Sequence, residues 1–241
     1  MGAQMSAEKA DEGATVNSNG TIALDSPDKF ELVHVRALHR FFVDGSYDFG
    51  MDKATFKEFI TEALPNASEV ATVLWDKFDT HRTKLVNALE VIAGLAIMCV
   101  GPILEKIQFI FDLHDFNGQG VLTYDEVVVA IFLSVSSTVL ISGKGVLPEE
   151  SMMERFADEA FVIADVDISA PLDKAGFTVW VIDRLRLEDA EDLTAKVGLR
   201  EFLKRFEALQ RPSMGTLSVV PGVSVSTEFE GSSAATPTGL A

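Results

Sequence analysis

Several kinds of residue and segment are scarce in this chain, and each scarcity argues against a class of protein. Cys99 is the single cysteine among 241 residues, so an intramolecular disulfide and a cysteine-rich zinc site are excluded. Lys and Arg number 20 against 37 Asp and Glu, and a formal net charge of −17 argues against nucleic-acid binding, which needs a basic surface. The start of the chain lacks the apolar stretch of a secretory signal, and the longest apolar runs, 91–100 and 127–133, are too short to span a bilayer. We therefore expect a soluble intracellular protein whose partners are cations or basic helices.

Sequence patterns of catalysis are absent as well. The chain has no P-loop, no Gly-rich dinucleotide turn, no nucleophile elbow and no zinc-protease helix. Its four histidines do not stand at mutual ligand spacing, and His114 is expected to replace an aromatic residue of the core. We expect that the protein is not an enzyme.

Residues 115–126 carry oxygen-bearing side chains at regular positions. Asp115, Asn117 and Gln119 occupy positions 1, 3 and 5 of a twelve-residue loop. Gly120 stands at position 6, where the chain must turn sharply, and Glu126 at position 12 can offer both carboxylate oxygens to one ion. Turn composition alone could produce the Asp-x-Asn-Gly-x-Gly part, but it would not place the position-12 carboxylate or the apolar residues on both flanks. The pattern predicts a calcium loop between two helices.

The same frame recurs along the chain. Loops begin at Asp44, Asp79, Asp115 and Asp165, so their starts are 35, 36 and 50 residues apart. A helix–loop–helix unit repeated four times is improbable by chance and predicts two pairs of units. Each loop also has an apolar residue at position 8, suited to a short β-bridge with a sister loop: Met51, Val86, Leu122 and Leu172.

The first two loops lack the residues that bind calcium. Phe49 occupies the tight-turn position of the first loop, and Thr55 replaces the glutamate at position 12. The second loop has His81, Arg82 and Lys84 where calcium needs oxygen ligands. Lys84 must also adopt a backbone conformation that favours glycine. We expect both loops to be structural and free of metal.

The fourth loop keeps only part of the pattern. Gly176 stands at position 12 in place of glutamate, and Ala170 replaces the turn glycine. Loss of both position-12 oxygens should weaken calcium greatly, whereas magnesium, which retains waters, is conceivable. This loop is a weak second candidate site, formed by Asp165, Asp167, Ser169 and Asp173.

These loops resemble those of the EF-hand superfamily. The long third-to-fourth spacing and a further amphipathic stretch after the fourth loop are similar to the calcineurin B, neuronal calcium sensor and calaxin group, although the first loop lacks the Cys-Pro pair of neuronal sensors. The resemblance covers residues 26–210. It implies an all-α fold of four helix–loop–helix EF-hands in two paired lobes, with some hands inactive and a partner helix in an apolar groove. The implied calcium ligands are Asp115, Asn117, Gln119, the Val121 carbonyl, Thr123 through water, and Glu126.

The ends of the chain differ in composition from its middle. The start, Met1 to Ser6, fits N-myristoylation of Gly2, which is common in the resembled group; a plain disordered N-terminus is the alternative. The predicted divisions are a disordered stretch 1–25, a degenerate EF-hand pair 26–101, a pair 102–186 containing the competent loop, a C-terminal helix 187–211 and a disordered tail 212–241.

Three helix predictions bear on the fold. Ser26 and Pro27 suit the N-cap and first position of the first helix, with Phe30 and Val33 on its apolar side. A helix is expected over 149–163. The helix from Tyr124 to about residue 140 is apolar nearly all round, so it is either buried between the lobes or lines a groove.

Two functions remain open from the sequence. Calcium could bias an opening that exposes a groove for an amphipathic or basic partner helix, as in a sensor or regulatory subunit. Alternatively, the chain is a constitutive, light-chain-like scaffold whose site is mainly structural. Asp115 and Glu126 are the only charged ligands, so micromolar or weaker affinity is expected in either case. The expected location is the cytoplasm, with reversible membrane association through Gly2 or attachment to a cytoskeletal or ciliary assembly.

Overall fold

The computed structural model describes residues 15–16, 22–23, 31–63, 68–143, 146–187 and 196–197, all of them within the unit Met1–Arg211. In these ranges the fold is mostly helical. Its eight helices are α1 Leu32–Asp44, α2 Lys53–Ala63, α3 Ser68–Phe78, α4 Ala88–Met98, α5 Ile103–His114, α6 Tyr124–Ser142, α7 Glu150–Ile163 and α8 Lys174–Leu185. Eight two-residue strands accompany them: β1 Thr15–Val16, β2 Ile22–Ala23, β3 Gly50–Met51, β4 Val86–Asn87, β5 Gly101–Pro102, β6 Val121–Leu122, β7 Leu172–Asp173 and β8 Lys196–Val197.

Short antiparallel strand pairs join the loops two by two. Met51 of β3 lies opposite Val86 of β4, and Leu122 of β6 lies opposite Leu172 of β7. These are the four residues that the sequence frame puts at position 8, and all four are buried. The loop after α1 therefore pairs with the loop after α3, and the loop after α5 with the loop after α7. Two halves of similar plan result, and the helix predicted over 149–163 is confirmed as α7 with Glu149 as its N-cap.

Helix α1 begins later than the sequence predicts. Glu31 is the N-cap in an extended conformation, and its backbone forms a bridge with Val100, so the helix cannot run continuously from Pro27. Ser26, Pro27 and Phe30 lie outside the described residues. The buried face consists of Leu32, Val35, Leu38 and Phe42, which recur at helical spacing. Val33, expected in the core, is 58% exposed because it lies on the other side of this face.

Helix α4 has no exposed side, and it approaches α6 closely. Each of its residues except Glu90 is buried. Gly94 makes the close approach possible, since a Cβ there would lie 2.9 Å from the Ser137 Cβ and 2.5 Å from the Ile141 Cδ1. Lys77 of α3 adds a hydrogen bond of 3.0 Å to the carbonyl of Ile141, at the end of α6. The two halves therefore meet along α6.

Helix α6 has two different apolar faces, one packed against the first half and one bordering a cavity. One face, with Ser137 and Ile141, packs against α4, and another, with Ile131 and Val135, borders an apolar cavity toward α5 and α8. Among the described helices it alone is long and apolar enough to cross a membrane by length and composition, but half of that stretch is buried within the fold. A central core helix has the same properties.

The termini of the described fold depart from the sequence predictions. Thr15–Val16 pairs with Ile22–Ala23 inside the stretch 1–25 that was expected to be disordered. Lys196–Val197 lies inside the predicted C-terminal helix, yet it forms a strand antiparallel to Gly101–Pro102. A backbone pairing with a distant segment overrides the local helical pattern at these two residues. Gly2 and the tail 212–241 lie outside the described residues.

Candidate metal centre

The loop between α5 and α6 is wrapped around the carboxylate of Asp115. Asp115 Oδ1 accepts a hydrogen bond of 3.0 Å from the Gln119 N–H, and its Oδ2 accepts one of 2.7 Å from the Gly120 N–H. Asn117 Oδ1 also accepts from the Gln119 N–H, at 3.0 Å. Gly118 and Gly120 make this turn possible, because their φ values of 67° and 75° are readily adopted only by glycine. The residues predicted at positions 1, 3 and 5 thus share one tight turn, to which Gln119 contributes its backbone N–H.

The sixth predicted ligand, Glu126, is engaged with Thr123 at the start of α6. Thr123 is the N-cap, and Glu126 Oε2 accepts from its N–H at 2.8 Å and from its hydroxyl at 2.9 Å. This arrangement is a capping box, which satisfies N–H groups that the helix itself leaves free. As a bidentate ligand, Glu126 would offer both oxygens to one ion, including the Oε2 that accepts from Thr123 here. The capping box and the candidate ion site therefore use the same carboxylate.

The donor set of this loop fits a hard divalent cation. In the described part of the chain, no three His, Cys, Asp or Glu side chains are grouped closely enough to hold a metal. A site here must combine two carboxylates with amide, hydroxyl and carbonyl oxygens, which is the mixture that calcium accepts and that a zinc or copper site does not use. The loop chemistry therefore suits calcium and leaves the charge of the site low.

His114, directly before the loop, is a core residue as the sequence predicts. It is fully buried, and its Nδ1–H donates to the Ile110 carbonyl at 2.8 Å. Burial lowers the pKa of His114 to about 4, so the ring is neutral at pH 7. Its edge also meets the ring of Phe116, the second residue of the loop. His114 therefore acts as a neutral aromatic packing residue at the end of α5.

The loop after α3 has the backbone of loop 115–126 without its oxygen-bearing side chains. Arg82 and Lys84 have φ values of 52° and 65° at loop positions 4 and 6, where loop 115–126 has glycines. Asp79 Oδ1 accepts from the Lys84 N–H at 3.2 Å, as Asp115 does in its own loop. The prediction for Lys84 is confirmed. The conformation is disfavoured by roughly 1–2 kcal/mol for each such residue, so the surrounding fold must impose it.

Glu90, at position 12 of this second loop, points elsewhere. Its carboxylate accepts a hydrogen bond from the hydroxyl of Ser136 on α6, and burial raises its pKa. Asn87 caps α4 in its place, with its Oδ1 accepting from the Leu89 N–H at 2.9 Å. A residue that keeps the position-12 glutamate of the loop frame thus connects the two halves. The hydrogen bond depends on Ser136, which lies on a helix distant in sequence, so the residues around Glu90 do not predict it.

Packing explains the glycine at position 12 of the fourth loop. A Cβ on Gly176 would lie 2.8 Å from the Leu172 Cδ1 and 2.9 Å from the Ala164 Cβ, so a glutamate has no room. Asp173 Oδ1 caps α8 by accepting from the Gly176 N–H at 2.8 Å. Asp167 Oδ1 accepts from the Ser169 N–H at 2.8 Å and hydroxyl at 2.6 Å. Together with Asp165, these aspartates form no metal-holding cluster among the described residues.

An apolar cavity of about 110 Å³ lies between α5, α6 and α8. Its walls are aliphatic and aromatic, and three polar atoms that border it have no hydrogen-bond partner among the described residues: Ser134 Oγ, Trp180 Nε1 and Arg184 Nε. The same arginine forms an ion pair of 3.2 Å with Glu159 of α7. The sequence analysis did not identify the cavity residues on α8, among them Trp180. Below, this cavity is called the α5–α6–α8 groove.

Comparison with known proteins agrees with this type of site. No protein-family model matches the chain. Over 130 residues the chain is 28% identical to the calcium-binding protein NCSA of Dictyostelium discoideum, an alignment that covers 53% of this chain and 70% of that protein. The class that fold and loop define is therefore a mostly helical protein of paired helix–loop–helix units, similar in sequence to a calcium-binding protein.

Proposed function

We propose that the chain is a calcium-binding EF-hand protein with four hands in two paired lobes and one competent site at residues 115–126. The wrapped turn of Asp115, with both of its oxygens held by the N–H groups of Gln119 and Gly120, is the observation that carries this proposal. The similarity to a Dictyostelium protein that is named as calcium-binding supports this proposal. The proposed ligands are Asp115, Asn117, Gln119, the Val121 carbonyl, Thr123 through water, and Glu126.

The position of α6 supports a regulatory role within this proposal. The helix carries the proposed ligand Glu126 in its first turn and borders the groove about one turn later with Ala130 and Ile131. In this proposal, a movement of Glu126 on ion binding displaces a wall of the groove, because both belong to α6. We propose that an amphipathic or basic helix of a protein partner binds the α5–α6–α8 groove, which makes the chain a sensor or regulatory subunit rather than an enzyme.

A second candidate function is supported by the contacts that residues of the first half make with α6. Lys77 binds the Ile141 carbonyl, Glu90 binds Ser136, and Gly94 brings α4 against the same helix. These contacts oppose displacement of α6. In this alternative the chain is a constitutive scaffold or light-chain-like subunit, and the calcium site stabilises a fixed conformation.

Other parts of the proposal rest on the sequence resemblance. They are membership of the calcineurin B, neuronal calcium sensor and calaxin group, a cytoplasmic location, and attachment to a cytoskeletal or ciliary assembly. Acylation of Gly2 would add weak, reversible membrane association. Magnesium at the fourth loop requires Asp165, Asp167 and Asp173 to be brought together around one ion.

Calcium titration of the full chain by calorimetry tests the proposal. We expect one dominant site, abolished by Glu126→Gln. Glutamine still completes a capping box, so this variant should lose the ion without losing the cap. Glu58→Gln is the matched control, because it makes the same change on the exposed side of α2 and should leave calcium binding unchanged. Two or more strong sites, or unaltered binding in Glu126→Gln, would overturn the assignment.

A further inference from the structure

A row of aromatic rings connects the first half of the molecule to the metal loop. Phe49, in the loop after α1, meets Phe116, in the loop after α5, with ring centroids 5.9 Å apart and an interplanar angle of 66°. On one side Phe49 contacts Phe42 of α1 at 5.9 Å, and on the other Phe116 contacts His114 at 6.2 Å. Phe42 and His114 are buried, whereas Phe49 and Phe116 are 54% and 53% exposed. Two half-exposed rings thus form the contact between the two loops.

The place of Phe116 in the loop makes this contact relevant to ion binding. Phe116 stands between Asp115 and Asn117, the ligands at positions 1 and 3, and its own side chain offers no oxygen. When Asp115 and Asn117 turn toward an ion, the backbone between them is held, and with it the direction of the Phe116 ring. A neighbour that already holds this ring reduces the conformational entropy lost on binding.

Phe49 is itself well anchored. Its carbonyl accepts a hydrogen bond of 2.8 Å from the Ala88 N–H, at the start of α4. Its neighbour Gly50 belongs to the strand that pairs with Asn87. The metal-free first and second loops together therefore hold the Phe49 ring against Phe116. This accounts for a large aromatic residue at a loop position that otherwise favours glycine.

We propose that Phe49 is a positioning residue for the calcium site at 115–126. It acts through Phe116, contacts no ligand, and gives the metal-free first loop a role in the affinity of the third. The proposal rests on the calcium site argued above. The expected effect is modest, because an aromatic pair contributes enough to change a dissociation constant by roughly two- to tenfold.

A double-mutant cycle on the full chain tests this role. Phe49→Ala and Phe116→Ala should each weaken calcium binding by roughly two- to tenfold in calorimetry, and the double variant should be no weaker than the worse single variant. Phe49→Tyr, which keeps the ring, should retain wild-type affinity. Leu85→Ala is the matched control: Leu85 is 54% exposed on the second loop, and its removal should leave the dissociation constant unchanged.

The outcomes separate this inference from the proposed function. With chelator present, circular dichroism should give the same helicity for all variants. Thermal unfolding should give similar midpoint temperatures, since both rings are half exposed. If the wild type binds no calcium, the proposed function fails. If the wild type binds and the two single effects add, or Phe49→Ala binds as the wild type does, the site stands and the positioning role of Phe49 is overturned.

Discussion

Thr123 and Glu126 hold each other at the first turn of α6. The N–H and hydroxyl of Thr123 both donate to Glu126 Oε2, at 2.8 and 2.9 Å, and the Thr123 hydroxyl accepts from the Glu126 N–H at 3.4 Å. The same carboxylate is the proposed position-12 ligand of the calcium site. If Glu126 binds the ion as proposed, the stability of the helix start and the calcium affinity are linked.

This link predicts different effects for two substitutions of Thr123. With chelator present, Thr123→Ala removes the N-cap hydroxyl and should lower the free energy of unfolding by about 1 kcal/mol in urea titrations. Thr123→Ser keeps the hydroxyl and should stay close to the wild type. Equal losses in the two variants would mean that the hydroxyl does not support the helix.

Restoring a glutamate to the fourth loop should fail to create a second site. Gly176→Glu forces side-chain atoms against Leu172 and Ala164 and should destabilise the fold by about 1–3 kcal/mol in urea unfolding, while calorimetry still detects one calcium site. Ala175→Glu, one residue earlier and exposed, is the control and should leave stability nearly unchanged. A new strong site in Gly176→Glu would contradict the packing explanation.

The two tryptophans distinguish a sensor from a scaffold. Trp180 borders the α5–α6–α8 groove, whereas Trp75 packs with Phe56 in the first half. In Trp75→Phe, the emission of Trp180 should shift on calcium addition if the groove opens, and binding of an apolar dye should rise. In Trp180→Phe, the emission of Trp75 should change less. Flat emission and dye signals at calcium saturation would favour the scaffold.

A buried lysine should make the free energy of unfolding change with pH in the alkaline range. Lys106 donates to the Ile97 carbonyl at 2.9 Å, and burial lowers the Lys106 pKa to about 8 from 10.5. Above pH 8 the folded chain gives up this proton while the unfolded chain keeps it, so the free energy of unfolding rises with pH. Burial raises the Cys99 pKa from 9.0 to about 11. Above pH 9 the unfolded chain loses this proton before the folded chain does, so this thiol makes the free energy of unfolding fall with pH. The rise should therefore be seen between about pH 8 and 9.

Chemical denaturation at fixed pH values checks this prediction. Lys106→Met should abolish the rise between pH 8 and 9, whereas Cys99→Ala should keep it and extend it to higher pH. A rise of the same size in Lys106→Met would assign the effect to another group.

The sequence predicted those features of the fold that depend on local repetition. The position-8 residues Met51 and Leu122 pair with Val86 and Leu172 because an apolar residue in each loop suffices to specify the bridge. The left-handed backbone of Lys84 followed from the loop frame in the same way. The ligand residues of the third loop remain predictions, although their turn is formed as the frame requires.

Long-range relationships were not predictable from local patterns. The contact of Phe49 with Phe116, the hydrogen bond of Glu90 to Ser136 and the strand at 196–197 each join segments that are far apart in sequence. Periodicity reports which face of an element is apolar, but it does not identify the neighbour of that face. The reason for Gly176 likewise became clear only from the side chains around it.

The close approach at Gly94 has a consequence for dissecting the chain. Tandem arrays can often be divided into fragments that fold independently, because few contacts cross the boundary. A cut near Val100 would leave α4 with its Gly94 surface open on one fragment and the matching surface of Ser137 and Ile141 open on the other. Each fragment would present an apolar helix side to water, which favours reassociation with its counterpart or aggregation. The two halves, although alike in plan, are folding partners and not interchangeable modules.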